Sequence, residues 1–465
     1  TYTLTGDISF SSGNDGIVVQ KDNIILDGAS HSLLGPYNQT GILVSDRNNV
    51  TIKNFNMRSF ENGILLMNST DSEIRNNSIT DIVYGGTPAM ASAICLTNCT
   101  GNNRIQGNTL TNCSNGIWLF GSSDNVISEN YVENNIFGLK TDASFNDHIY
   151  HNNFEGNYNN TFVHAGATEI WDNGYPDGGN FWDVHHWSDN DGDGIVDTPY
   201  QIDPNNTDHY PLSTPFGTSI IVRTDGSVFP STAPVQRNGD IYTLTDNFTL
   251  TARPVTPNLK GMYYYALIVA KDNIVFDGAN HLLKGPEIMS ASSDTFTNGI
   301  MLDGRNNVTI KNVNVKTFST GIALGKTSNS KIMKNNVSDC VQCAYSAAIG
   351  MDLGSGNIII GNNVADCNEA FYFSNCTYNF VLDNKIESTH IGAMALYSSG
   401  GNIFYHNNFY TTGIWILEGY RNQLYYGGIP EGNYWASYTG QDTNGDGIGE
   451  DPYVIDIPTE NIDPY

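Results

Sequence analysis

The sequence predicts an all-β protein made of two tandem right-handed parallel β-helix (β-solenoid) domains with coils of about 22–25 residues. Three observations lead to this prediction: a short apolar motif recurs at a nearly constant interval, the second half repeats the first, and amphipathic helical periodicity of useful length is absent. One repeat of this size cannot bury its apolar face alone, whereas stacked repeats can.

In the first half, a small residue followed by apolar-x-apolar begins at Gly16, Gly41, Gly63, Ala93, Gly116 and Gly138, at steps of 25, 22, 30, 23 and 22 residues. Asn-rich segments with a second apolar pair, such as residues 49–54, lie between the copies. Alternating apolar residues bounded by Gly and Asn predict two or three short strands in each coil.

The second half repeats this scheme. The motif begins at Ala266, Gly299, Gly321, Ala348, Ala370 and Ala393, at steps of 33, 22, 27, 22 and 23 residues, so the longer coils fall at the same places. Residues 150–154, Tyr-His-Asn-Asn-Phe, return unchanged at 405–409. We therefore predict a β-helix domain at 1–214, a Pro/Ser/Thr linker with a short strand at 215–240, and a second β-helix domain at 241–465.

Asparagine makes up 59 of the 465 residues, and glycine 47. Asn tolerates the positive-φ backbone of tight turns better than most other residues. Asn side chains stacked one coil apart can also bond to each other as ladders. We expect most of the Asn residues to serve the fold in these two ways.

The charge balance excludes some classes of function. The formal net charge is −27, because Lys and Arg number 21 against 48 Asp and Glu. A nucleic-acid binder is excluded, since affinity for phosphates needs Lys and Arg. No apolar run approaches the roughly 20 residues of a membrane span, so we expect none.

An Asp-rich loop closes each predicted domain. Its spacing is that of the first part of an EF-hand-type calcium loop, in which oxygen donors at alternate positions surround one cation. The predicted structural Ca²⁺ ligands, one site per domain, are Asp189, Asp191, Asp193, the Ile195 carbonyl, Asp197 and Asp203 in the first domain, and Asp442, Asn444, Asp446, the Ile448 carbonyl, Glu450 and Asp456 in the second. Because Tyr200 and Tyr453 replace the usual Glu at position 12, Asp208 and Asp463 are alternatives to Asp203 and Asp456.

Asn-X-Ser/Thr sequons and cysteines bear on the compartment. The twelve sequons, which are glycosylation sites in an exported protein, are at Asn38, Asn49, Asn68, Asn76, Asn98, Asn112, Asn159, Asn205, Asn247, Asn307, Asn336 and Asn375. Cys340 and Cys367 occupy the same phase one coil apart, within disulfide reach. Cys95 and Cys113 bracket one coil and are a second candidate pair, with packing as two free thiols as the alternative.

The motif at residues 150–154, followed by Gly-Asn-Phe-Trp at 179–182 and the Asp-rich loop at 189–197, resembles a signature of the NosD-like family. Gly-Asn-Tyr-Trp at 432–435 and the loop at 442–450 match it again. The family comprises secreted right-handed β-helix proteins, often labelled periplasmic copper-binding, and the match is to its archaeal surface-protein branch. The resemblance implies a β-helical fold, export and surface exposure.

Copper handling is not favoured by the residues themselves. Cu(I) sites need clustered Cys, Met or His, whereas His185 and His186 are the only adjacent His pair and their counterparts are Ser437 and Tyr438.

We therefore expect a non-enzymatic extracellular or cell-surface protein, a subunit of a filament, sheath or coat, that associates with itself head to tail or laterally and contacts surface glycans. The chain also reads as two units of a longer or polymerising array. The alternative is a carbohydrate-active or carbohydrate-binding protein, because lyases and epimerases use right-handed β-helices, although fold alone does not establish an activity.

Overall fold

The computed structural model describes residues 1–11, 15–83, 91–164, 166–185, 189–250, 263–286, 296–342, 346–411, 414–417, 421–425, 432–456 and 461–463. Throughout these ranges the regular elements are β-strands, and no helix occurs. The strands stack in parallel as successive coils. The predicted fold class, an all-β right-handed parallel β-helix, is confirmed.

The chain forms two compact units. Among the described residues, unit 1 comprises Thr1–Asn190 and Gly194–Gly217, and unit 2 comprises Asp191–Asp193 and the chain from Thr218 onwards. The predicted linker, 215–240, contributes strands to unit 2 from Ile220 onwards.

The strands of unit 1 are short. In chain order they are β1 Tyr2–Thr3, β2 Ile8–Ser9, β3 Ile17–Val19, β4 Ile24–Asp27, β5 Ser32–Leu34, β6 Thr40–Ser45, β7 Val50–Lys53, β8 Asn56–Arg58, β9 Asn62–Met67, β10 Glu73–Arg75, β11 Ser78–Thr80, β12 Ser92–Thr97, β13 Arg104–Gln106, β14 Thr109–Thr111, β15 Asn115–Phe120, β16 Val126–Ser128, β17 Tyr131–Glu133, β18 Phe137–Asp142, β19 Phe145–Tyr150, β20 Asn153–Glu155, β21 Asn159–His164, β22 Thr168–Ile170, β23 Phe181–Trp182, β24 Tyr200–Asp203 and β25 Asn206–Asp208.

Unit 2 continues the same pattern. Its strands are β26 Ile220–Val222, β27 Val228–Phe229, β28 Val235–Asn238, β29 Ile241–Leu244, β30 Phe248–Thr249, β31 Tyr263–Val269, β32 Val275–Asp277, β33 Leu282–Lys284, β34 Phe296–Asp303, β35 Thr309–Lys311, β36 Asn314–Lys316, β37 Thr320–Gly325, β38 Lys331–Met333, β39 Asn336–Ser338, β40 Ala347–Asp352, β41 Ile358–Ile360, β42 Asn363–Ala365, β43 Cys367–Ser374, β44 Phe380–Leu382, β45 Lys385–Ile386, β46 Thr389–Tyr397, β47 Ile403–Tyr405, β48 Asn408–Phe409, β49 Ile414–Leu417, β50 Tyr434–Trp435, β51 Tyr453–Asp456 and β52 Asn461–Asp463.

Three parallel sheets form the walls of each unit. In unit 1 their orders are β1-β4-β7-β10-β13-β16-β19-β22, β2-β5-β8-β11-β14-β17-β20-β23 and β21-β18-β15-β12-β9-β6-β3. In unit 2 the orders are β28-β29-β32-β35-β38-β41-β44-β47, β30-β33-β36-β39-β42-β45-β48-β50 and β27-β26-β31-β34-β37-β40-β43-β46-β49. Apart from the antiparallel pairs β26-β27 and β28-β29 at one end of unit 2, each strand pairs in parallel with its equivalent in the next coil. The β24-β25 and β51-β52 hairpins stand outside these walls.

Identical residues stack in the core. One column in unit 1, each member facing its equivalent in the next coil, consists of Ile52, Ile74, Ile105, Ile127 and Ile149. All five are buried. Stacking equivalent apolar side chains at each coil extends one continuous core along the unit, as the repeat predicts.

The repeated motif begins with a small residue for a steric reason. A Cβ added at Gly63 would lie 2.5 Å from the carbonyl oxygen of Ala93 in the next coil and 2.8 Å from Cγ2 of Ile79. Such contacts are too short for any Cβ, so this position requires Gly,.

Many Asn residues occupy left-handed turns, as predicted. Those with positive φ are Asn23, Asn49, Asn54, Asn68, Asn76, Asn98, Asn102, Asn112, Asn134, Asn146, Asn273, Asn280, Asn307, Asn312, Asn329 and Asn375. The side-chain amide makes this backbone region accessible to Asn at lower cost than to most other residues.

Candidate metal centre

The first Asp-rich loop lies between β23 and β24 and brings three carboxylates together. One oxygen from each of Asp189, Asp191 and Asp193 lies within 4.8 Å of the others. Asp193 is buried, whereas Asp191 is exposed. Three carboxylates at this separation provide part of the oxygen shell that a hard divalent cation takes.

Backbone N–H groups fix this geometry. Gly194 N–H donates to Asp189 Oδ2 at 2.9 Å, and Asp193 N–H donates to Asp191 Oδ1 at 3.2 Å. Gly192 and Gly194 have φ of 71° and 86°, which L side chains rarely adopt,. The loop thus folds around its carboxylates because the two glycines permit the reversals that aim the N–H groups inward.

Two predicted ligands of this loop lie outside the three-carboxylate group. Asp197 Oδ2 accepts the N–H and Nδ2 of Asn190, at 3.1 and 2.5 Å. Asp203 Oδ1 accepts the Asn205 N–H at 2.7 Å, in the β24-β25 hairpin. Neither carboxylate is part of the group that Asp189, Asp191 and Asp193 form, and their role as calcium ligands stays a prediction.

The second Asp-rich loop is closed by its own N–H groups. The Asp442 carboxylate accepts the N–H groups of Gly445 at 2.6 Å and Gly447 at 2.9 Å. The hydroxyl and N–H of Thr443 donate to Glu450 and lower its pKa. Within the described ranges, only the first loop forms a group of three carboxylates.

Of the other predicted ligands in this loop, Asn444 Oδ1 accepts the Asp446 N–H at 2.9 Å, and Asp446 Oδ1 accepts the Ile448 N–H at 2.9 Å. The Asp456 side chain lies outside what the structure describes.

Buried Asn ladders run along both units, as the sequence predicts. In each ladder, the Nδ2 of one Asn donates to the Oδ1 of its equivalent in the next coil at 2.8–3.0 Å. The longest ladder of unit 1 is Asn77, Asn108, Asn130, Asn152 and Asn180. Those of unit 2 are Asn335, Asn362, Asn384, Asn407 and Asn433, and Asn357, Asn379, Asn402 and Asn422.

Asp208 ends the longest ladder of unit 1. Asp208 Oδ2 accepts the Asn180 N–H at 2.7 Å and Trp182 Nε1 at 2.9 Å. Burial raises the pKa of Asp208 to about 7. An acceptor-only group suits this position because every earlier Asn donates in the same direction along the ladder. Asp208, the alternative calcium ligand, is thus part of the ladder.

A second ladder of unit 1 contains two carboxyl groups in place of Asn. Asn103 Nδ2 donates to Asn125, and Asn125 Nδ2 donates to Asp147 Oδ1, both at 2.8 Å. The Asp147 N–H then donates to Glu169 Oε2 at 3.0 Å. Burial and the nearby Glu169 raise the pKa of Asp147 to about 7. Burial also raises the pKa of Glu169.

In the structure the four cysteines of the two predicted disulfides are free thiols, and both pairings stay predictions. A hydrogen bond with the Cys367 thiol, together with burial, raises the pKa of Cys340, so these two side chains are neighbours. Cys340 Sγ donates to the carbonyl of Ser338, and Cys367 Sγ to that of Ala365. Cys95 and Cys113 bond to different partners, the Thr97 hydroxyl and the Thr111 carbonyl. Burial raises the pKa of both Cys95 and Cys113 to about 12.

All twelve sequon Asn residues are exposed. The buried ladder Asn residues named above are a separate set, and none of them begins a sequon. The fold thus leaves each of the twelve amides at the surface, where an added glycan would not disturb the core.

Comparison with known proteins places the chain in a family. The family model described as periplasmic copper-binding protein (NosD) matches residues 3–186 and 236–440. The chain therefore belongs to the NosD family. No curated protein matches it. In the described residues, no helix is long and apolar enough to span a membrane.

Several solved β-helix structures resemble the chain at low identity. The periplasmic alginate epimerase AlgG is 10% identical, with 86% of this chain and 74% of that chain covered and a TM-score of 0.23. The A-module of the mannuronan C-5 epimerase AlgE6 from Azotobacter vinelandii is 10% identical, with 90% and 88% covered and a TM-score of 0.20. Tailspike protein 3 of bacteriophage CBA120 is 10% identical, with 92% and 57% covered and a TM-score of 0.25. No activity is inferred from these similarities.

The described residues do not fit the copper of the family's description. Their one group of three metal-ligating side chains is the all-oxygen Asp189, Asp191 and Asp193 set, which suits hard cations rather than copper. His185 Nε2 lies 2.8 Å from the Thr198 carbonyl oxygen, with which it bonds. His186, the second member of the only adjacent His pair, lies outside the described residues.

Sequence reasoning missed one partner of the Asp-rich loop and the carboxyl members of the ladders. Ser213 Oγ donates to Asp189 Oδ2 at 3.1 Å, although Ser213 carries no motif that would single it out. Asp147 could have been found, because it stands 22 residues after Asn125, which itself stands 22 residues after Asn103. An Asp at a position where the repeat places a ladder Asn therefore indicates a carboxyl group within the ladder.

Proposed function

We propose that this chain is a non-enzymatic structural subunit of an extracellular filament, sheath or coat, whose units join end to end. The observation that carries this proposal is the stacking of parallel strands coil upon coil, in which the strands of each wall of unit 1 pair with their equivalents in the next coil. Strand pairing of this kind can continue from one chain to another where coils meet end to end.

Sedimentation of the purified chain tests end-to-end joining. We expect the wild type to form species larger than one chain, in a proportion that rises with protein concentration. A wild-type chain that sediments as a monomer at every concentration would refute the proposal.

We further propose that the Asp189–Asp191–Asp193 group binds a structural Ca²⁺ ion. Three carboxylates close together repel one another, and a bound divalent cation offsets that repulsion. Titration of calcium chloride into the chain should show binding that Asp191→Asn weakens strongly. Equal binding by the wild type and this variant would count against the assignment, as would a melting temperature that a chelator leaves unchanged. The number of Ca²⁺ ions bound per chain in the same titration shows whether the second loop binds one as well.

The exposed sequons and the acidic surface support glycosylation and an extracellular location. A net charge of −27 with few Lys and Arg residues suits a hydrated exterior,. Mass spectrometry of material from the native source should find glycans on some of the twelve Asn residues. Unmodified peptides at all twelve would refute this part of the proposal.

A carbohydrate-binding role is the second candidate, because an outward row of aromatic residues follows one sheet of unit 1. Trp118, Lys140 and Phe162 are neighbours across β15, β18 and β21, with Lys140 Nζ 4.1 Å from the Trp118 ring centroid. Aromatic faces of this kind can stack on sugar rings. Affinity electrophoresis in polysaccharide gels should show retardation that Trp118→Ala removes. Release of reducing ends or unsaturated products would instead indicate an enzyme.

A further inference from the structure

One wall of unit 2 has an apolar outer surface. On strands β38, β41, β44 and β47 the middle residue is buried in the core, and the residues on either side of it face outward. Apart from Lys331, which is exposed, these outward residues are partly buried. The parallel register aligns them in two columns, which are Lys331, Ile358, Phe380 and Ile403, and Met333, Ile360, Leu382 and Tyr405. We call these eight positions the apolar face.

The equivalent positions of unit 1 are mostly polar. By the repeat, β38, β41, β44 and β47 correspond to β10, β13, β16 and β19. The outward residues of these strands are Glu73, Arg104, Val126 and His148, and Arg75, Gln106, Ser128 and Tyr150. Two of these eight are apolar or aromatic, against seven of the eight in unit 2. Because both units have the same fold, the fold itself does not require apolar residues at these positions.

The apolar face lies on the outside of its wall. None of its seven apolar side chains is among the described side chains that pack against the core of unit 2. Within the described residues, the strands that pair with β41 and β44 are their neighbours in the same wall. A contiguous apolar surface costs free energy in water, and in soluble proteins it marks a site of contact with another molecule.

The shape and charge of the apolar face indicate its partner. A flat wall of apolar side chains suits a second sheet better than a small ligand, since small ligands bind in concave pockets. The chain has a formal net charge of −27, so two copies repel one another over most of their surface,. The apolar face contains one Lys and no carboxylate. A second copy of the chain can therefore approach here without that repulsion.

The area of the apolar face indicates a weak contact. Strands lie about 4.8 Å apart and alternate residues of one strand about 6.7 Å apart, so eight outward residues cover about 250 Å². A stable interface takes about 800 Å² from each partner, with a polar rim around its apolar centre. A contact of this size is weak between two free chains, and it gains strength where many copies lie side by side.

We propose that the apolar face is a lateral contact between copies of this chain, in which the same face of a second copy packs on it. The two sheets lie face to face, about 10 Å apart. Because both copies contribute the same surface, the contact is isologous and closes as a pair. The inference deepens the proposed structural role, on which its biological meaning rests, by adding a sideways contact to end-to-end joining.

Cross-linking through introduced cysteines tests this contact. Ile360→Cys places a thiol near the middle of the apolar face, and a short bismaleimide should join two copies into a covalent dimer. Gln106→Cys is the matched control, because Gln106 is the equivalent of Ile360 in unit 1 and is also partly buried. The wild type gives the background, since its described cysteines are buried. We expect several times more dimer from Ile360→Cys than from either control.

Sedimentation and electron microscopy of Ile360→Lys test the same contact without a cross-linker. We expect the lateral dimer to dissociate about tenfold or more readily, because the contact would bury an unpaired charge among apolar anchors. Gln106→Lys should sediment like the wild type. In electron micrographs, Ile360→Lys should separate rods that lie side by side without shortening them.

Equal cross-linking of Ile360→Cys and Gln106→Cys would overturn the proposal, as would association that Ile360→Lys leaves unchanged. Retardation in a polysaccharide gel that Ile360→Lys removes, with no excess of cross-linked dimer, would identify a glycan surface instead. Dimers that depend on position 360, from a chain that forms no rods, would uphold the lateral contact and refute end-to-end joining. Rods whose side-by-side packing does not depend on position 360 would do the reverse.

Discussion

Replacing Asp147 by Asn should stabilise unit 1 and remove part of its pH dependence. Asp147 occupies the place of a ladder Asn, and its Oδ2 is buried without a hydrogen-bond partner in the described part of the chain. At the equivalent position one coil earlier, Asn125 Nδ2 donates to the Cys99 carbonyl at 3.1 Å. An Asn at 147 keeps the acceptor for Asn125 and gains a donor that can reach the corresponding carbonyl, that of Ser122.

The size of the effect follows from the pKa of Asp147, which burial and Glu169 raise from 3.8 to about 7. One pKa unit corresponds to about 1.4 kcal/mol, so the ionised carboxylate costs about 4 kcal/mol of stability at neutral pH and above. The native state binds the proton more tightly than the unfolded state, so the unfolding free energy falls as the pH rises from about 3.8 to about 7. The gain from Asp147→Asn is therefore small at pH 4 and approaches about 4 kcal/mol at pH 7.

Denaturant unfolding of the wild type and Asp147→Asn at several pH values between 4 and 8 measures this directly. The melting temperature of Asp147→Asn should rise in parallel, by about 2–4 °C for each kcal/mol gained in a unit of this size. Asp81→Asn is the matched control, because Asp81 is an exposed Asp in a left-handed turn and should change stability little. A variant that is less stable than the wild type at pH 7, or that keeps the full wild-type pH slope, would refute the reasoning.

The remaining predictions concern the Asn ladders, the glycine that begins the repeated motif, and the cysteine thiols. Asn130→Ala should destabilise unit 1 by about 3–5 kcal/mol, since it leaves the buried N–H and Nδ2 of Asn108 without their acceptor,; an effect below 1 kcal/mol in denaturant unfolding would contradict the ladder's role. Gly63→Ala should lower the melting temperature by several degrees because its Cβ meets a carbonyl at 2.5 Å, and an unchanged melting curve would show that the coil relaxes freely. Cys95 and Cys113, both buried with a pKa raised to about 12, should resist iodoacetamide in the folded chain at pH 8 and react after unfolding. Rapid labelling of the native chain would contradict their burial.

The sequence predicts the fold well because the repeat carries it. Three features are visible in the sequence, and each has a local cause. They are the small residue that begins the repeated motif, the apolar residues at equivalent positions of successive coils, and the Asn residues of the turns. Position 63 needs Gly because the backbone of the next coil passes close by. Position 130 needs an amide side chain because it donates a hydrogen bond to the next coil and accepts one from the previous coil. Because the same contacts recur in every coil, the residues that make them recur in the sequence at the interval of the repeat.

The candidate site is less predictable, because its details depend on contacts that do not repeat. Asp189, Asp191 and Asp193 come together as the loop spacing predicts. Asp197 and Asp203 lie outside this group and accept hydrogen bonds from neighbouring Asn residues. These bonds depend on the local path of each turn, which the spacing of the carboxylates does not reveal.

The cysteines show what the repeat does predict. Cys340 and Cys367 share a phase, and in the structure their thiols interact, which together with burial raises the pKa of Cys340. The phase of a residue thus predicts which side chains become neighbours, and the disulfide between these two stays a prediction.

Electron microscopy of the purified chain in calcium-containing buffer tests end-to-end joining most directly. End-to-end joining predicts rods several chains long. Dispersed single particles of the wild-type chain, at every concentration and with calcium present, would contradict it.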